Sequence, residues 1–124
     1  LYDEEKIMKI AALFYDQMTA LDAVGPLEIL SRLPGAKVFH VAISPGPIET
    51  DSSLKVFANY SLSDVPSADL LLVPGGGNAT TLKNHPEVLE WIRQIHSRSA
   101  WTTSVCTGSL ILGAAGILSG LRAT

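Results

Sequence analysis

The side chain with the greatest chemical capability in this sequence is its single cysteine, Cys106. It lies within residues 104–109, Ser-Val-Cys-Thr-Gly-Ser, between an apolar β-branched run and small residues typical of a helix start. That order predicts a sharp strand-to-helix turn, similar in geometry to the Gly-x-Ser-x-Gly elbow that exposes a nucleophile above a sheet. Backbone N–H groups and the positive end of a helix dipole would stabilise a thiolate there. A lone cysteine is often a small buried apolar residue, but this context favours a nucleophile.

A glycine-rich loop is the second candidate element. Residues 74–78 read Pro-Gly-Gly-Gly-Asn and follow a short apolar run. Ligands of open α/β sheets bind at the carboxyl ends of strands, and the bare backbone of Gly75 and Gly76 would allow close approach there. The N–H groups of this loop, with that of Thr107 or Cys106, form a candidate oxyanion hole. The alternative is a plain glycine turn, because such a loop is weak evidence of function on its own.

Asp22 is the third candidate, within residues 21–26, Leu-Asp-Ala-Val-Gly-Pro. The Gly25-Pro26 pair is typical of a helix start, and a helix that begins there does not need Asp22 as its cap. A helix that begins at Asp22, with a kink at Pro26, would let the carboxylate cap it and also take part in chemistry. A carboxyl group beside a thiolate is not easily ionised as well, so Asp22 is a candidate acid. Glu28 is interpreted as a first-turn dipole partner rather than a catalytic group.

The three histidines do not suggest a metal site. His40 lies in a predicted strand, His85 precedes a proline, and His96 lies on the polar face of a predicted helix. None has ligand spacing to Cys106 or to another histidine. We therefore assign no metal.

The elements that would position these residues alternate between apolar strands and helices. Residues 44–53 are expected to be a turn-rich loop, and residues 55–60 an edge strand or hairpin. The order predicts a doubly wound, flavodoxin-like, mostly parallel sheet with helices on both faces. The predicted strands are residues 7–14, 37–43, 69–73 and 101–105, and the predicted helices are a first one from Gly25 and then residues 86–97 and 106–115.

Composition excludes several classes of protein. A net charge of -3 and an isoelectric point near 5.5 argue against binding to nucleic acid through this segment. The richest apolar stretch, residues 110–121, is interrupted by glycines and too short to span a membrane, so we expect a buried helix. The acidic opening, residues 1–6, does not resemble a secretory signal. A single cysteine fits a reducing compartment, and we expect a cytoplasmic protein.

The end of the sequence resembles the entry to another strand, at residues 121–124. A parallel sheet interrupted there would have an open edge and an exposed apolar face. We therefore expect either a fragment, truncated at the C-terminus, or completion by a second chain. Residues 1–124 are interpreted as the N-terminal portion of a single α/β domain.

Taken together, these motifs resemble the ThiJ/PfpI superfamily, with its class I glutamine-amidotransferase-like fold. The resemblance implies that Cys106 is the nucleophile, Asp22 the acid/base group, Thr107 a neighbouring polar residue and Gly76 a backbone donor. It also implies a homodimer and a small-molecule substrate, with no cofactor. The motifs that carry it are residues 21–26, residues 72–76 (Leu-Val-Pro-Gly-Gly), residues 104–109 and residues 112–116 (Leu-Gly-Ala-Ala-Gly).

Within the superfamily, an aspartate before the first helix and Cys-Thr-Gly at the elbow most resemble the isocyanide hydratases and the domain that begins some AraC-type regulators. The first implies hydration of an isonitrile to an N-substituted formamide, and the second implies a non-enzymatic ligand- or redox-sensing domain. A third possibility, glyoxalase or protease-like activity, would require a histidine near Cys106. In the superfamily a Thr-His or similar pair usually follows the position of Thr124, beyond the sequence given.

Overall fold

The computed structural model of the chain describes residues 6–122. Five strands form one sheet in the order β5-β2-β1-β6-β7, with every neighbouring pair parallel, and β3 and β4 form a separate antiparallel hairpin. The predicted flavodoxin-like α/β fold is confirmed. The strands are β1 (Met8–Leu13), β2 (Ala36–Ala42), β3 (Gly46–Glu49), β4 (Lys55–Ala58), β5 (Tyr60–Ser61), β6 (Leu70–Val73) and β7 (Trp101–Ser104). The helices are α1 (Ala20–Leu30), α2 (Ala79–Leu82), α3 (Pro86–His96) and α4 (Gly108–Ala114).

The strand order reverses between β1 and β6. From β1 the chain crosses through α1 to β2 on one side, and from β6 it crosses through α3 to β7 on the other. Because parallel crossovers are right-handed, opposite directions of travel put these helices on opposite faces of the sheet. The carboxyl ends of β1 and β6 thus flank the crevice in which such folds bind ligands.

Strand β6 is the most buried part of the sheet. All four of its residues are buried, and it pairs with β1 on one side and β7 on the other. This explains its uninterrupted Leu-Leu-Leu-Val sequence, which lacks the alternation of a half-exposed strand. The loop that follows β6 therefore begins from a fixed point in the core.

Helix α3 matches its prediction closely. Pro86 occupies the first turn, where its missing N–H costs nothing, and Val88, Ile92 and Ile95 are buried. Trp91 is buried too, and its indole Nε1–H donates to the Val65 carbonyl at 2.9 Å.

The predicted start of the first helix at Gly25-Pro26 is wrong. Helix α1 begins at Ala20 and includes Pro26, so Asp22 lies in its first turn. Thr19 precedes the helix, but its hydroxyl donates to Asp51 at 2.6 Å and does not cap the helix. Glu28 consequently lies in the last turns rather than the first, where it pairs with Arg32 at 2.9 Å on the surface.

The expected loop at residues 44–53 contains a strand that the sequence analysis missed. Strand β3 pairs with β4, and Pro47 lies opposite Phe57. Proline is tolerated in such a strand because a two-stranded hairpin has free outer edges that need no N–H donor. The hairpin prediction for residues 55–60 is confirmed for β4.

Helix α4 is shorter than expected. It ends at Ala114, so the apolar stretch at residues 110–121 is helical only in its first half and continues as turns. Within the described residues, no helix is both long and apolar enough to cross a membrane.

Two expectations concern the ends of the chain. Nearly all of the acidic opening at residues 1–6 lies outside the described residues. Of the expected strand entry at residues 121–124, the first two residues lie in no strand and the last two are outside the described residues. The assignment of residues 1–124 to part of one domain stays a prediction.

A pH-dependent stability is expected from His40 on β2. Its ring packs against Phe14 with centroids 5.1 Å apart, and burial lowers the pKa of His40 below its ordinary value of 6.5. As pH falls below about 6.5, His40 binds a proton in the unfolded chain before it does so in the folded chain. The free energy of unfolding therefore decreases as pH falls from about 6.5 through the folded pKa. Thermal unfolding between pH 7.5 and 5 should show a steeper fall for the wild type than for His40→Phe. Identical pH profiles would contradict this.

Candidate active site

Three loops meet at the carboxyl edge of the sheet. The loop after β1 joins the loop after β6 through a hydrogen bond from the Thr19 N–H to the Gly75 carbonyl, at 2.8 Å, and through a bridge between Met18 and Gly76. The loop after β6 joins the turn after β7 through a 3.0 Å bond from the Gly76 N–H to Thr107 Oγ1. The Thr107 hydroxyl also donates to the Gly76 carbonyl at 3.3 Å. The candidate residues from all three motifs are thus held together.

The turn after β7 places Cys106 in a strained and accessible position. Cys106 has φ of +53°, in the left-handed region, and is exposed. Holding a residue that has a Cβ in this conformation costs roughly 1–3 kcal/mol of folding free energy. Two backbone bonds fix the turn, from Val105 N–H to the Val73 carbonyl and from Gly108 N–H to the Val105 carbonyl, both 3.0 Å. The strand, sharp turn and helix expected around Cys106 are present, and its role as nucleophile stays a prediction.

Gly108 allows helix α4 to begin directly against β6. A Cβ on Gly108 would overlap the Val73 carbonyl oxygen and lie 3.0 Å from the Pro74 carbonyl oxygen. Any side chain here would push the first turn of α4 away from the loop after β6, so packing requires a glycine at position 108.

Gly75 occupies the space between Asp22 and Thr107. Its N–H donates to Asp22 Oδ2 at 3.2 Å. A Cβ built on Gly75 would lie 2.8 Å from the Thr107 nitrogen and 3.0 Å from Asp22 Oδ2. The half-buried carboxylate of Asp22 and the residue after Cys106 therefore both lie against the position that a Cβ on Gly75 would occupy.

The candidate oxyanion donors divide into two groups. The N–H groups of Gly75 and Gly76 already have acceptors in Asp22 and Thr107. In the described part of the chain, neither the Cys106 N–H nor the Thr107 N–H has a hydrogen-bond acceptor. These two are the free donors at the turn, and the oxyanion role of all four stays a prediction.

Tyr15 is a polar residue of this region that the sequence analysis did not single out. It is 3% exposed, and its hydroxyl donates to the Pro74 carbonyl at 2.7 Å. Burial, with smaller contributions from the neighbouring acidic groups of Asp22, Cys106 and Asp51, raises the pKa of Tyr15 well above its ordinary value. The phenol is therefore a neutral hydrogen-bond donor. The sequence signal that could have identified Tyr15 is an amphipathic aromatic residue directly after a buried strand.

The histidines lie apart from these motifs in sequence and have structural neighbours. His96 Nδ1 is 2.7 Å from the Thr102 hydroxyl, and His85 Nδ1 is buried without a partner among the described residues. Between residues 6 and 122, no group of three His, Cys, Asp or Glu side chains is arranged to hold a metal ion.

Comparison with known proteins agrees with the fold described above. Residues 8–124 match the profile of the DJ-1/PfpI family. The chain belongs to this family. A ThiJ/PfpI family protein from Pseudomonas syringae superimposes with a TM-score of 0.88 at 36% identity, over 92% of this chain and 48% of that one.

Two curated relatives have different names. The isonitrile hydratase of Pseudomonas putida is 37% identical over 117 residues, 94% of this chain and 51% of its own. The HTH-type transcriptional regulator CdhR of Pseudomonas aeruginosa is 28% identical over 112 residues, 89% of this chain and 33% of its own. The chain thus spans about half the length of the isonitrile hydratase and of the P. syringae protein.

Substitution of Gly75 should destabilise the protein more than substitution of Gly77, two positions later in the same loop. In Gly75→Ala the new methyl group meets backbone and carboxylate atoms at about 3 Å, and such overpacking costs about 1–3 kcal/mol. Gly77→Ala is the matched control, because a Cβ there meets nothing within 4 Å. The free energy of unfolding of both variants, measured in urea, checks this. An equal loss in the two variants would show that the space around Gly75 can accommodate a methyl group.

Proposed function

We propose that this chain carries the nucleophile and the proton donor of an isonitrile hydratase. The observation that carries the proposal is the approach of both Asp22 and Thr107, the residue after Cys106, to Gly75. The reaction adds water to an isonitrile and yields an N-substituted formamide, with neither metal nor cofactor required. The 37% identity to an isonitrile hydratase over 94% of the chain supports the same activity.

In the first step the Cys106 thiolate attacks the terminal carbon of the isonitrile. A carbon–sulfur bond forms, one carbon–nitrogen π bond breaks with its electron pair moving to nitrogen, and the lone pair that remains on the carbon must take up a proton. Asp22 is the proposed donor. The product is a thioimidate, with nitrogen doubly bonded to a carbon that carries one hydrogen and the sulfur.

In the second step water adds to the thioimidate carbon, and the Asp22 carboxylate accepts its proton. The second proton of that water passes from the hydroxyl of the adduct to the nitrogen, the carbon–sulfur bond breaks, and the thiolate leaves with the bonding electrons. The carbon retains the oxygen as the carbonyl of the formamide. The overall change is the addition of one water molecule, so Cys106 and Asp22 return to their initial states.

The contacts of Asp22 suit this role. Its Oδ2 accepts the Gly75 N–H, which fixes the direction of the carboxyl group. Within the described residues, its other oxygen makes no hydrogen bond, so that oxygen is available to exchange a proton with a substrate. The free N–H groups at the turn are available to a polar intermediate.

A second candidate function is supported by a different relative. The similarity to the regulator CdhR favours a ligand-sensing domain, in which the same residues bind a small molecule without turnover. Glyoxalase or protease-like activity, which requires a histidine partner for Cys106, is named for neither of these two relatives. A homodimer and a cytoplasmic location remain parts of the proposal.

Two substitutions in the complete protein should separate catalysis from sensing. Cys106→Ser should lower kcat/KM for formamide production by about 10³-fold or more, because a hydroxyl is a far weaker nucleophile. Asp22→Asn should lower it by about 10²- to 10⁴-fold, the usual contribution of a general acid. Production of formamide from a panel of alkyl and aryl isonitriles is the measurement.

Glu28→Gln is the control, since it neutralises another carboxylate of α1, whose one polar side-chain partner among the described residues is Arg32 on the surface. It should change kcat/KM by less than about twofold. If the wild type forms no formamide, while a small ligand alters its binding to DNA, the sensing function replaces this proposal. Full activity in Asp22→Asn would remove Asp22 from the mechanism.

A further inference from the structure

We propose that Tyr15 is a positioning residue of this site, which orients Asp22 through a single peptide group. The inference deepens the proposed function and rests on it for the catalytic role of Asp22. Tyr15 contacts neither Cys106 nor Asp22 by a hydrogen bond in the described structure. It acts on the peptide that joins Pro74 to Gly75.

The argument begins with the two ends of that peptide. At one end the Tyr15 hydroxyl donates to the Pro74 carbonyl oxygen at 2.7 Å. At the other end the Gly75 N–H donates to Asp22 Oδ2 at 3.2 Å. A peptide group is planar, and in the trans form its C=O and N–H point in opposite directions. The Tyr15 bond therefore sets the direction in which the Gly75 N–H points toward Asp22.

The same carbonyl also lies against the helix that follows Cys106. The Pro74 oxygen is 3.0 Å from the position that a Cβ on Gly108 would occupy. Rotation of the Pro74–Gly75 peptide would consequently disturb both the Asp22 contact and the start of α4. Tyr15 thus holds a peptide group that contacts both the proposed acid and the first residue of the helix after the proposed nucleophile.

The environment of Tyr15 keeps this bond in place. The side chain is 3% exposed, and burial raises the pKa of Tyr15, so the phenol remains a donor across any ordinary assay range. Neighbouring hydrogen bonds in a buried network polarise one another, which strengthens the link from Tyr15 to Asp22. A phenylalanine at this position keeps the ring but leaves the buried Pro74 carbonyl without its donor.

The experiment compares Tyr15→Phe with Trp91→Phe in the complete protein. Both variants remove one bond from a buried aromatic donor to a backbone carbonyl, and Tyr15 and Trp91 are 3% and 4% exposed. Only Tyr15 is linked to Asp22. The readouts are kcat and KM for isonitrile hydration and, independently of turnover, the hydrogen-exchange rate of the Gly75 amide.

We expect Tyr15→Phe to lower kcat by roughly tenfold or more, since small displacements of a catalytic group have effects of that size. KM should change by less than about threefold, because uniform substrate binding is not removed. Exchange of the Gly75 amide should accelerate by at least about tenfold. Trp91→Phe should lose comparable thermal stability and change neither readout.

Site-specific 3-fluorotyrosine at position 15 provides the conservative rescue, because it retains the ring and the hydroxyl donor. It should restore kcat and slow amide exchange toward wild-type values. If Tyr15→Phe does not fold, 4-fluorophenylalanine fills the hydroxyl position without donating and takes its place. Failure of both to fold would overturn the proposal, because the bond would then support the whole fold rather than the site.

Unchanged Gly75 exchange in Tyr15→Phe, or equal effects of Trp91→Phe on both readouts, would also overturn the proposal. If the wild type hydrates no isonitrile, the proposed function fails, and the amide exchange alone decides the role of Tyr15. The two failures are thereby distinguishable.

Discussion

The close approach of the loop after β6 to both of its neighbours is the constraint on which the site depends. Gly75 lies between Asp22 and Thr107, and a Cβ on Gly76 would lie 2.6 Å from the Gln17 carbonyl oxygen. Gly108 brings α4 against the same loop from the other side. Because these positions have no side chain, backbone groups of the β6 loop contact the β1 loop, helix α1 and the elbow directly. Their geometry is fixed by a fully buried strand rather than by flexible side chains.

Much of this arrangement follows from local sequence patterns. The uninterrupted apolar run of β6 and the amphipathic spacing of α3 identify buried elements, and strand ends of a parallel sheet share one edge. That reasoning is sufficient to bring the regions of Asp22, Gly75 and Cys106 together. The start of α1 could not be obtained in this way, because Pro26 is equally compatible with a first turn and with a kink.

The missed features depend on contacts between segments that are distant in sequence. The Thr19 hydroxyl is taken by Asp51 of the β3–β4 turn, so the first turn of α1 is anchored by the hairpin and not by its own cap. The Tyr15–Pro74 bond joins residues 59 positions apart. The periodicity of apolar residues in the sequence does not indicate such long-range contacts. A Thr-x-x-Asp pattern at Thr19 was the one local signal of the true helix start.

The two functions considered for this family member place different demands on the same residues. A strained, exposed cysteine with free N–H groups beside it suits either catalysis or sensing, because both need an accessible sulfur. Addition of a thiolate to an isonitrile, however, leaves a carbon that must be protonated, whereas reversible ligand binding does not need a proton donor. The feature that distinguishes an enzyme from a sensor is therefore the control of Asp22, and in this structure that control passes through the backbone of Gly75. An oriented carboxylate has a direct use in proton transfer, and this favours the hydratase.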